Sequence, residues 1–182
     1  MIQNIVSLLY FFLPAYFANM TPPFLKKLNL FSSLARPIDG NKTFRGKPIL
    51  GSHKTWRGAI FSFLVVFFVC FFQFLLFSFP FFQKISLVDY SRFFLKISFL
   101  MGLGTVSGDL FFAFLKRRLD LPPGAPFLPF DQTNYVIGNF VFLEPFFSFG
   151  FFFWLKLFVL TFFLHAIFNR LGYLLKIHNA KW

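Results

Sequence analysis

Two segments of this chain combine basic side chains with glycines or aspartates, and both lie between long apolar runs. The first, residues 37–57, interleaves glycines with Lys42, Arg45, Lys54 and Arg57. Exposed backbone N–H groups together with Lys and Arg side chains can bind a polyphosphate. Because the spacing does not match the Walker phosphate loop, the segment predicts a phosphate-binding loop of another kind. A solvated basic loop held by lipid headgroups is the alternative interpretation.

The second segment, residues 108–132, combines aspartates with a basic cluster. Asp109 precedes Lys116 by two helical turns, so both side chains project from one face of a helix. Such a carboxylate can bind a divalent cation while Lys116, Arg117 and Arg118 neutralise phosphate oxygens. The alternative is an ion pair between Asp109 and Lys116 inside the membrane, with a basic anchor at its surface. Because a carboxylate is costly at that depth, we favour a functional role for Asp109.

Asp131 follows a proline-rich stretch, residues 122–129, that cannot continue a helix. The chain therefore turns back, and Asp131 is expected near the amino end of the next helix. A helix N-cap is one interpretation of this residue. In the other, Asp109 and Asp131 face one crevice and hold Mg²⁺, which accepts one or two carboxylates plus water and substrate phosphates.

Glycines precede Asp109 in the same predicted helix. Gly104 and Gly108 have the spacing that allows two membrane helices to approach closely. Missing side chains at these positions also leave room for a substrate beside Asp109. The two interpretations are compatible.

The rest of the chain is too apolar for a soluble domain. Hydrophobic residues make up 57% of its 182 residues and charged residues 13%, whereas soluble domains contain about 25% charged residues. Long apolar stretches are read as membrane spans, and only helices satisfy their own backbone groups there. The sequence therefore predicts an all-α, polytopic integral membrane protein with about five transmembrane helices. The predicted spans are residues 2–18, 58–79, 93–115, 133–149 and 151–174.

Lysine and arginine alternate between richer and poorer loops along these spans. The positive-inside rule then places both motif loops in the cytoplasm and the protein in the cell membrane. The net charge of +12 fits contact with anionic lipid or nucleotide, and nucleic acid is not an expected partner. Glu144 is expected near the outer turn between the last two spans, because Pro145 and Gly150 accompany it.

Taken together, the motifs resemble the CDP-archaeol synthase family, which is related to the phosphatidate cytidylyltransferases. The resemblance covers most of the chain. It rests on residues 18–23, 39–58, 108–110, 116–118, 123–126 and 129–132. It implies one transmembrane cytidylyltransferase domain over residues 1–182. The family's members use Mg²⁺ and CTP to convert a lipid phosphate into its CDP derivative, with release of pyrophosphate.

The resemblance also implies roles for individual residues. Asp109 and Asp131 match the metal-binding carboxylates, and Lys116 with Arg117 matches a basic pair at the nucleotide or lipid phosphates. Asn134 stands where the family usually has a second acid, and its amide oxygen remains available to a metal. The other matching residues belong to the signature of the first loop: Lys54, Thr55 and Arg57. Ala113 replaces a common hydroxyl residue.

A different class of protein stays possible on the sequence alone, namely a non-catalytic membrane carrier or binding protein for an anionic lipid or solute. A carrier predicts charged residues near the middle of the membrane and along a path. Here the charges gather at one boundary, which favours the enzyme. Archaetidic and phosphatidic acid types of substrate, with CTP or dCTP, are equally compatible with the sequence, and no oligomeric state is indicated.

Overall fold

The computed structural model describes residues 2–122 and 125–174, which are almost entirely helical. Within these residues a short hairpin and a 3-10 turn, Ser32–Leu34, join the first two helices. The elements are α1 (Ile2–Lys27), β1 (Thr43–Phe44), β2 (Lys47–Pro48), α2 (Trp56–Leu76), α3 (Pro80–Ile85), α4 (Tyr90–Arg118), α5 (Phe130–Phe147) and α6 (Phe151–Leu174).

Four helices of the described residues are long and apolar enough to cross a membrane, at Ile5–Lys27, Trp56–Leu76, Tyr90–Arg118 and Phe151–Arg170. The prediction of an all-α polytopic membrane protein is confirmed. The fourth predicted span differs, because α5 is not among these four helices. The face that α5 buries is polar and includes Thr133, Asn134 and Asn139.

Helix α1 continues to Lys27, well past the end predicted at residue 18, and contains Pro14. Proline has no backbone N–H, so the carbonyl four residues earlier, that of Tyr10, loses its helical donor. Gln73 of α2 supplies the missing hydrogen bond, with Nε2 donating to Tyr10 O at 2.5 Å. A side chain of α2 therefore satisfies the α1 carbonyl that Pro14 leaves without a helical donor.

A second carbonyl of α1, nearer its carboxyl end, is satisfied by α2 in the same way. Pro22 leaves the carbonyl of Ala18 without a helical donor. The buried hydroxyl of Ser62, also from α2, donates to Ala18 O at 2.9 Å. These hydrogen bonds hold α1 against α2 and stabilise its helical structure beyond residue 18. This last part of α1 forms one wall of the site described below.

We expect Gln73→Leu to lower the free energy of unfolding by about 1–3 kcal/mol, because it leaves the partly buried Tyr10 carbonyl without a donor. In a Pro14→Ala background the restored backbone N–H takes over, so the same replacement should cost clearly less. Thermal unfolding in detergent measures both effects as a double-mutant cycle. Gln83→Leu, which removes an exposed Gln-to-carbonyl bond in α3, is the matched control. Strictly additive effects of Pro14→Ala and Gln73→Leu would contradict the interpretation.

Helices α4 and α5 touch through their backbones. A Cβ atom on Gly138 would overlap the Gly104 carbonyl oxygen, and one on Gly108 would overlap the carbonyl of Asn134. The predicted close helix contact at these glycines is confirmed. It places the carboxyl end of α4, which carries Asp109, directly against the amino end of α5.

Glu144 lies in the last turn of α5 and joins it to α6. Its carboxylate accepts hydrogen bonds from Gly150 N at 3.0 Å and from Trp154 Nε1 at 2.7 Å. The predicted position beside the turn is confirmed, and the side chain organises that turn.

Candidate active site

The first polar loop is built around one carboxylate. Asp39 accepts hydrogen bonds from the backbone N–H groups of Asn41 at 3.0 Å, Leu50 at 2.8 Å and Gly51 at 3.1 Å. Partial burial raises the pKa of the Asp39 carboxyl, but these donors outweigh it, so the pKa lies below its ordinary value. The ionised side chain therefore holds the loop that precedes Lys54.

The lowered pKa makes the stability of this loop depend on pH. A carboxylate with a lowered folded pKa contributes stability above its unfolded pKa, and this contribution is lost as the pH falls through the folded value. We expect Asp39→Asn to lower the unfolding temperature near pH 7. The difference from the wild type should shrink below about pH 4 and disappear once the pH is below the lowered pKa of the folded protein. Asp120→Asn, at an exposed ion pair, should show only a small difference. An Asp39→Asn effect that is the same at both pH values would contradict the assignment.

Two residues predicted to bind substrate also hold the loop in place. Thr55 is the N-cap of α2, where its hydroxyl accepts the N–H of Gly58. The guanidinium of Arg57 is buried and donates to the carbonyl of Leu30 at 2.8 Å. Arg57 is therefore occupied by the backbone, although Thr55 still lines a cavity.

Arg118 connects the two polar segments. Its guanidinium donates to the carbonyls of Phe44 at 2.5 Å, Lys47 at 3.1 Å and Pro48 at 2.5 Å, all in the hairpin. Lys47 adds an ion pair with Asp120 at 2.6 Å. The structure thus directs Arg118 to the hairpin, and the substrate-binding role predicted for it stays a prediction.

Two lysine–aspartate pairs form the centre of the site. Lys54 Nζ lies 2.6 and 2.7 Å from the two carboxylate oxygens of Asp109. Lys116 Nζ lies 2.9 and 2.8 Å from those of Asp131. The alternative of an Asp109–Lys116 pair is therefore wrong, because each partner comes from another element.

Asp131 does not cap α5, since Pro129 occupies the cap position. Its carboxylate instead accepts the backbone N–H of Phe127 at 2.8 Å, and Lys116 also donates to the carbonyl of Ala125 at 2.6 Å. These contacts hold residues 125–127 between α4 and α5. The turn and the lysine thus position each other.

Asn134 reaches the other carboxylate. Its Nδ2 donates to Asp109 Oδ1 at 3.3 Å, across the contact between α4 and α5. Its Oδ1 accepts the N–H of Tyr135 at 2.6 Å. The amide therefore faces Asp109 with its donor side, and its oxygen becomes a metal ligand only if the amide turns over.

Two adjoining cavities open around these pairs. The larger, about 270 Å³, contains both pairs together with Arg117 and Asn134. The smaller, about 210 Å³, lies between α1, α2 and α4, and its walls include Asn19, Pro22 and Ser62. Three residues line both cavities, namely His53, Lys54 and Asp109. The Lys54–Asp109 pair therefore stands between the two.

Arg117 adds a cation to the larger cavity. The residue is 7% exposed, and its Nε has no hydrogen-bond partner among the described residues. A buried guanidinium requires an anionic or carbonyl partner to offset its desolvation. A phosphate group in this cavity would supply that partner.

Lys42 and Arg45, also predicted to bind substrate, lie elsewhere. Both are exposed in the hairpin, and neither lines the two cavities. Arg45 stacks on the ring of Phe44, with 5.4 Å between the guanidinium carbon and the ring centroid. The positions of these two side chains fit contact with solvent or headgroups.

The donor set suits a magnesium ion. In the described part of the chain no group of three His, Cys, Asp or Glu residues could hold a metal. Mg²⁺, however, needs only one or two carboxylates, with water and substrate phosphates completing its shell. Asp109 and Asp131 on the wall of one cavity meet that requirement.

Sequence reasoning missed two residues of the site. His53 received no role, yet it lines both cavities. Asp39 was noted only as part of a motif, yet it organises the loop. The Asp-Gly-Asn run at residues 39–41 was a turn signal that pointed to Asp39, whereas nothing in the local sequence distinguishes His53 from an ordinary loop histidine.

Fold and cavities together define a multi-pass membrane protein whose basic and acidic side chains meet around two adjoining cavities. The family model for CDP-archaeol synthase (CarS-like) matches residues 1–182. The chain belongs to the CDP-archaeol synthase family. The predicted family is thereby confirmed, as is the prediction of a nucleotidyltransferase, and the carrier alternative is not favoured.

Individual relatives agree with this assignment. The chain is 35% identical to the CDP-archaeol synthase of Pyrococcus furiosus over 179 residues, which cover 98% of each protein. It is 33% identical to that of Pyrococcus abyssi over 174 residues, or 95% of each. It is also 33% identical to that of Saccharolobus islandicus over 177 residues, or 94% of this chain and 92% of the relative. No solved structure matches the chain.

Proposed function

We propose that this protein transfers the cytidylyl group of CTP to an archaetidic-acid-type lipid phosphomonoester, which yields a CDP-activated lipid and pyrophosphate for phospholipid biosynthesis. The observation that carries the proposal is the larger cavity. Its wall combines two carboxylates with Lys54, Lys116 and the buried Arg117. Cations in excess of carboxylates suit a polyanionic substrate, and the relatives' name supplies the reaction.

The reaction requires a substitution at phosphorus. A lipid phosphate oxygen attacks the α-phosphorus of CTP, and the bond to the pyrophosphate leaving group breaks. Catalysis of such a transfer depends on positioning and on neutralising charge at the phosphoryl oxygens. Lys116 and Arg117 would neutralise the departing pyrophosphate. Lys54 borders both cavities and would lie where the two substrates meet.

Nucleotidyltransferases of this family commonly use a divalent metal, and Mg²⁺ is the ion we propose. Asp109 and Asp131 would hold it, with Asn134 contributing its amide oxygen after a flip. When bound, the ion would draw charge from the phosphate oxygens and help to orient the triphosphate. Although Asn134 replaces the family's usual acid, Asp109 and Asp131 would still provide two carboxylates for the metal ion.

Separate cavities fit separate substrates. The larger one faces the polar loops, which suits the triphosphate. Helices α1, α2 and α4 wall the smaller one with Pro22, Val106 and Leu110 among its lining residues. Such walls suit a lipid phosphate whose chains run on between helices, with only its headgroup reaching Asp109.

The remaining features complete the proposal. Residues 1–182 act as one domain, since α1, α2, α4 and α5 all contribute to the cavities. The loops face the cytoplasm, where CTP is available, and the protein lies in the cell membrane. Its partners are CTP, the lipid substrate and the bilayer, with no role for nucleic acid.

A substrate panel tests the proposal. Purified protein in detergent is incubated with labelled CTP, Mg²⁺ and one lipid at a time. The lipids are archaetidic acid, phosphatidic acid and the dephosphorylated form of each. We expect labelled lipid and an equal amount of pyrophosphate with archaetidic acid, and none with the dephosphorylated lipid. Incorporation with neither lipid phosphate would refute the proposal. Faster incorporation with phosphatidic acid would refute the archaetidic assignment alone.

A further inference from the structure

Lys54 has a fixed backbone and a side chain with one partner among the described residues. Its carbonyl accepts the N–H of Ile38 at 2.8 Å, and its own N–H donates to Gly51 O at 3.1 Å. Within the described part of the chain its ammonium binds the two oxygens of Asp109 and no other acceptor. It also borders both cavities. The side chain can therefore swing into either cavity without disturbing the loop.

Lys116 is held differently. Its ammonium binds both oxygens of Asp131 and also the carbonyl of Ala125. The Lys116 side chain is 12% exposed, whereas that of Lys54 is 27% exposed. The third acceptor and the deeper burial fix Lys116, and Asp131 carries the further hydrogen bond from Phe127. Of the two pairs, Lys54–Asp109 is therefore the one that exchanges more easily.

We propose that Lys54 is an exchangeable counter-ion, which neutralises Asp109 until a phosphate draws its ammonium away. The inference rests on the proposed function, because that function brings phosphates into the cavities. A cation at Asp109 must compete with the ammonium for the same oxygens. A phosphate in either cavity offers Lys54 another anionic partner and removes this competition.

Cation binding and phosphate binding are consequently coupled. Each ligand raises the affinity of the other by the same factor, since linkage is reciprocal. The cavity wall already carries more cations than carboxylates, so a divalent ion alone is disfavoured there. Lys54 thereby disfavours binding of a divalent ion to Asp109 until nucleotide is present.

Binding of Mn²⁺ to the full chain in detergent, followed by electron paramagnetic resonance, tests this device without any turnover. In the wild type we expect weak Mn²⁺ binding that CMP strengthens about tenfold, after correction for Mn²⁺–CMP in solution. Lys54→Gln should bind Mn²⁺ alone about tenfold more tightly than the wild type, and CMP should add little. Lys47→Gln, which removes the lysine of an exposed pair outside both cavities, should behave as the wild type.

Three results would overturn the inference: Mn²⁺ affinity in Lys54→Gln no higher than in the wild type, an undiminished CMP effect, or a gain that survives Asp109→Asn in the same chain. Lys54→Met carries the same expectation should Lys54→Gln fail to fold. Transfer activity is assayed on the same samples. Absent transfer alongside the expected Mn²⁺ pattern would refute the proposed function and leave the counter-ion role in place.

Discussion

Asp109→Asn is expected to reduce cytidylyl transfer about 1,000-fold, which is the scale of losing one major source of charge stabilisation. The amide keeps the shape and one oxygen of the carboxylate but loses its charge, so a divalent ion is held weakly. Lys54 loses its partner in the same change. The measurement is the initial rate of labelled lipid formation at saturating CTP, together with Mn²⁺ affinity.

Stability must be separated from chemistry in this test. The side chains of Lys54 and Asp109 are 27% and 36% exposed. Partly exposed pairs contribute about 0–1 kcal/mol, so the folded protein should persist with little change in unfolding temperature. Asp120→Asn is the matched control, because its carboxylate pairs with Lys47 outside both cavities. A rate for Asp109→Asn within about tenfold of the control would remove Asp109 from the catalytic site.

The helical architecture could be predicted because it depends on composition and on the solvent. Long apolar runs with few charges have one favourable structure in a membrane, whatever their order. The spacing of Gly104 and Gly108 also sufficed, since a missing side chain permits close contact in any arrangement. The length of α1 could not be predicted, because it depends on donors from α2, Gln73 and Ser62, that lie far along the chain.

The site was predictable in its residue types and less so in its contacts. Asp109 and Asp131 were expected at one crevice, and the structure brings both to the larger cavity. The partners of the lysines depend on how the first loop folds over α4. Residues two turns apart along one helix are about 10 Å apart, too far for an ion pair, so Lys116 turns to the next helix instead.

Arginines show the same limit. The local sequence does not distinguish which of Arg57, Arg117 and Arg118 binds a phosphate. In the fold, Arg57 donates to a backbone carbonyl 27 residues away, and Arg118 donates to backbone carbonyls 70–74 residues away. Only Arg117 reaches the cavity with Nε unpaired among the described residues. A basic cluster therefore contains both phosphate ligands and structural ties, which tertiary contacts distinguish.

Gly138→Leu is expected to have the second large effect, and it acts through position alone. Gly138 lines neither of the two cavities, but a Cβ there would overlap the carbonyl of Gly104 in α4. Backbone atoms cannot yield to it as a flexible side chain could, so the helices must separate. Overpacking of this kind costs about 1–3 kcal/mol, occasionally more. Separation moves Asn134 and Asp131 away from Asp109, and misplacement by about 1 Å can cost about 100-fold in rate.

Two readouts distinguish this positioning role from loss of folding. We expect Gly138→Ala, the smaller change, to retain cooperative unfolding in detergent at a lower temperature while transfer falls at least about 100-fold. Val141→Ala, on the exposed side of the same helix, should leave the rate near that of the wild type. A Gly138→Ala protein with lowered stability and an unchanged rate would show that the site tolerates movement between α4 and α5. The contact between glycines would then stabilise the fold without setting the geometry of the two carboxylates.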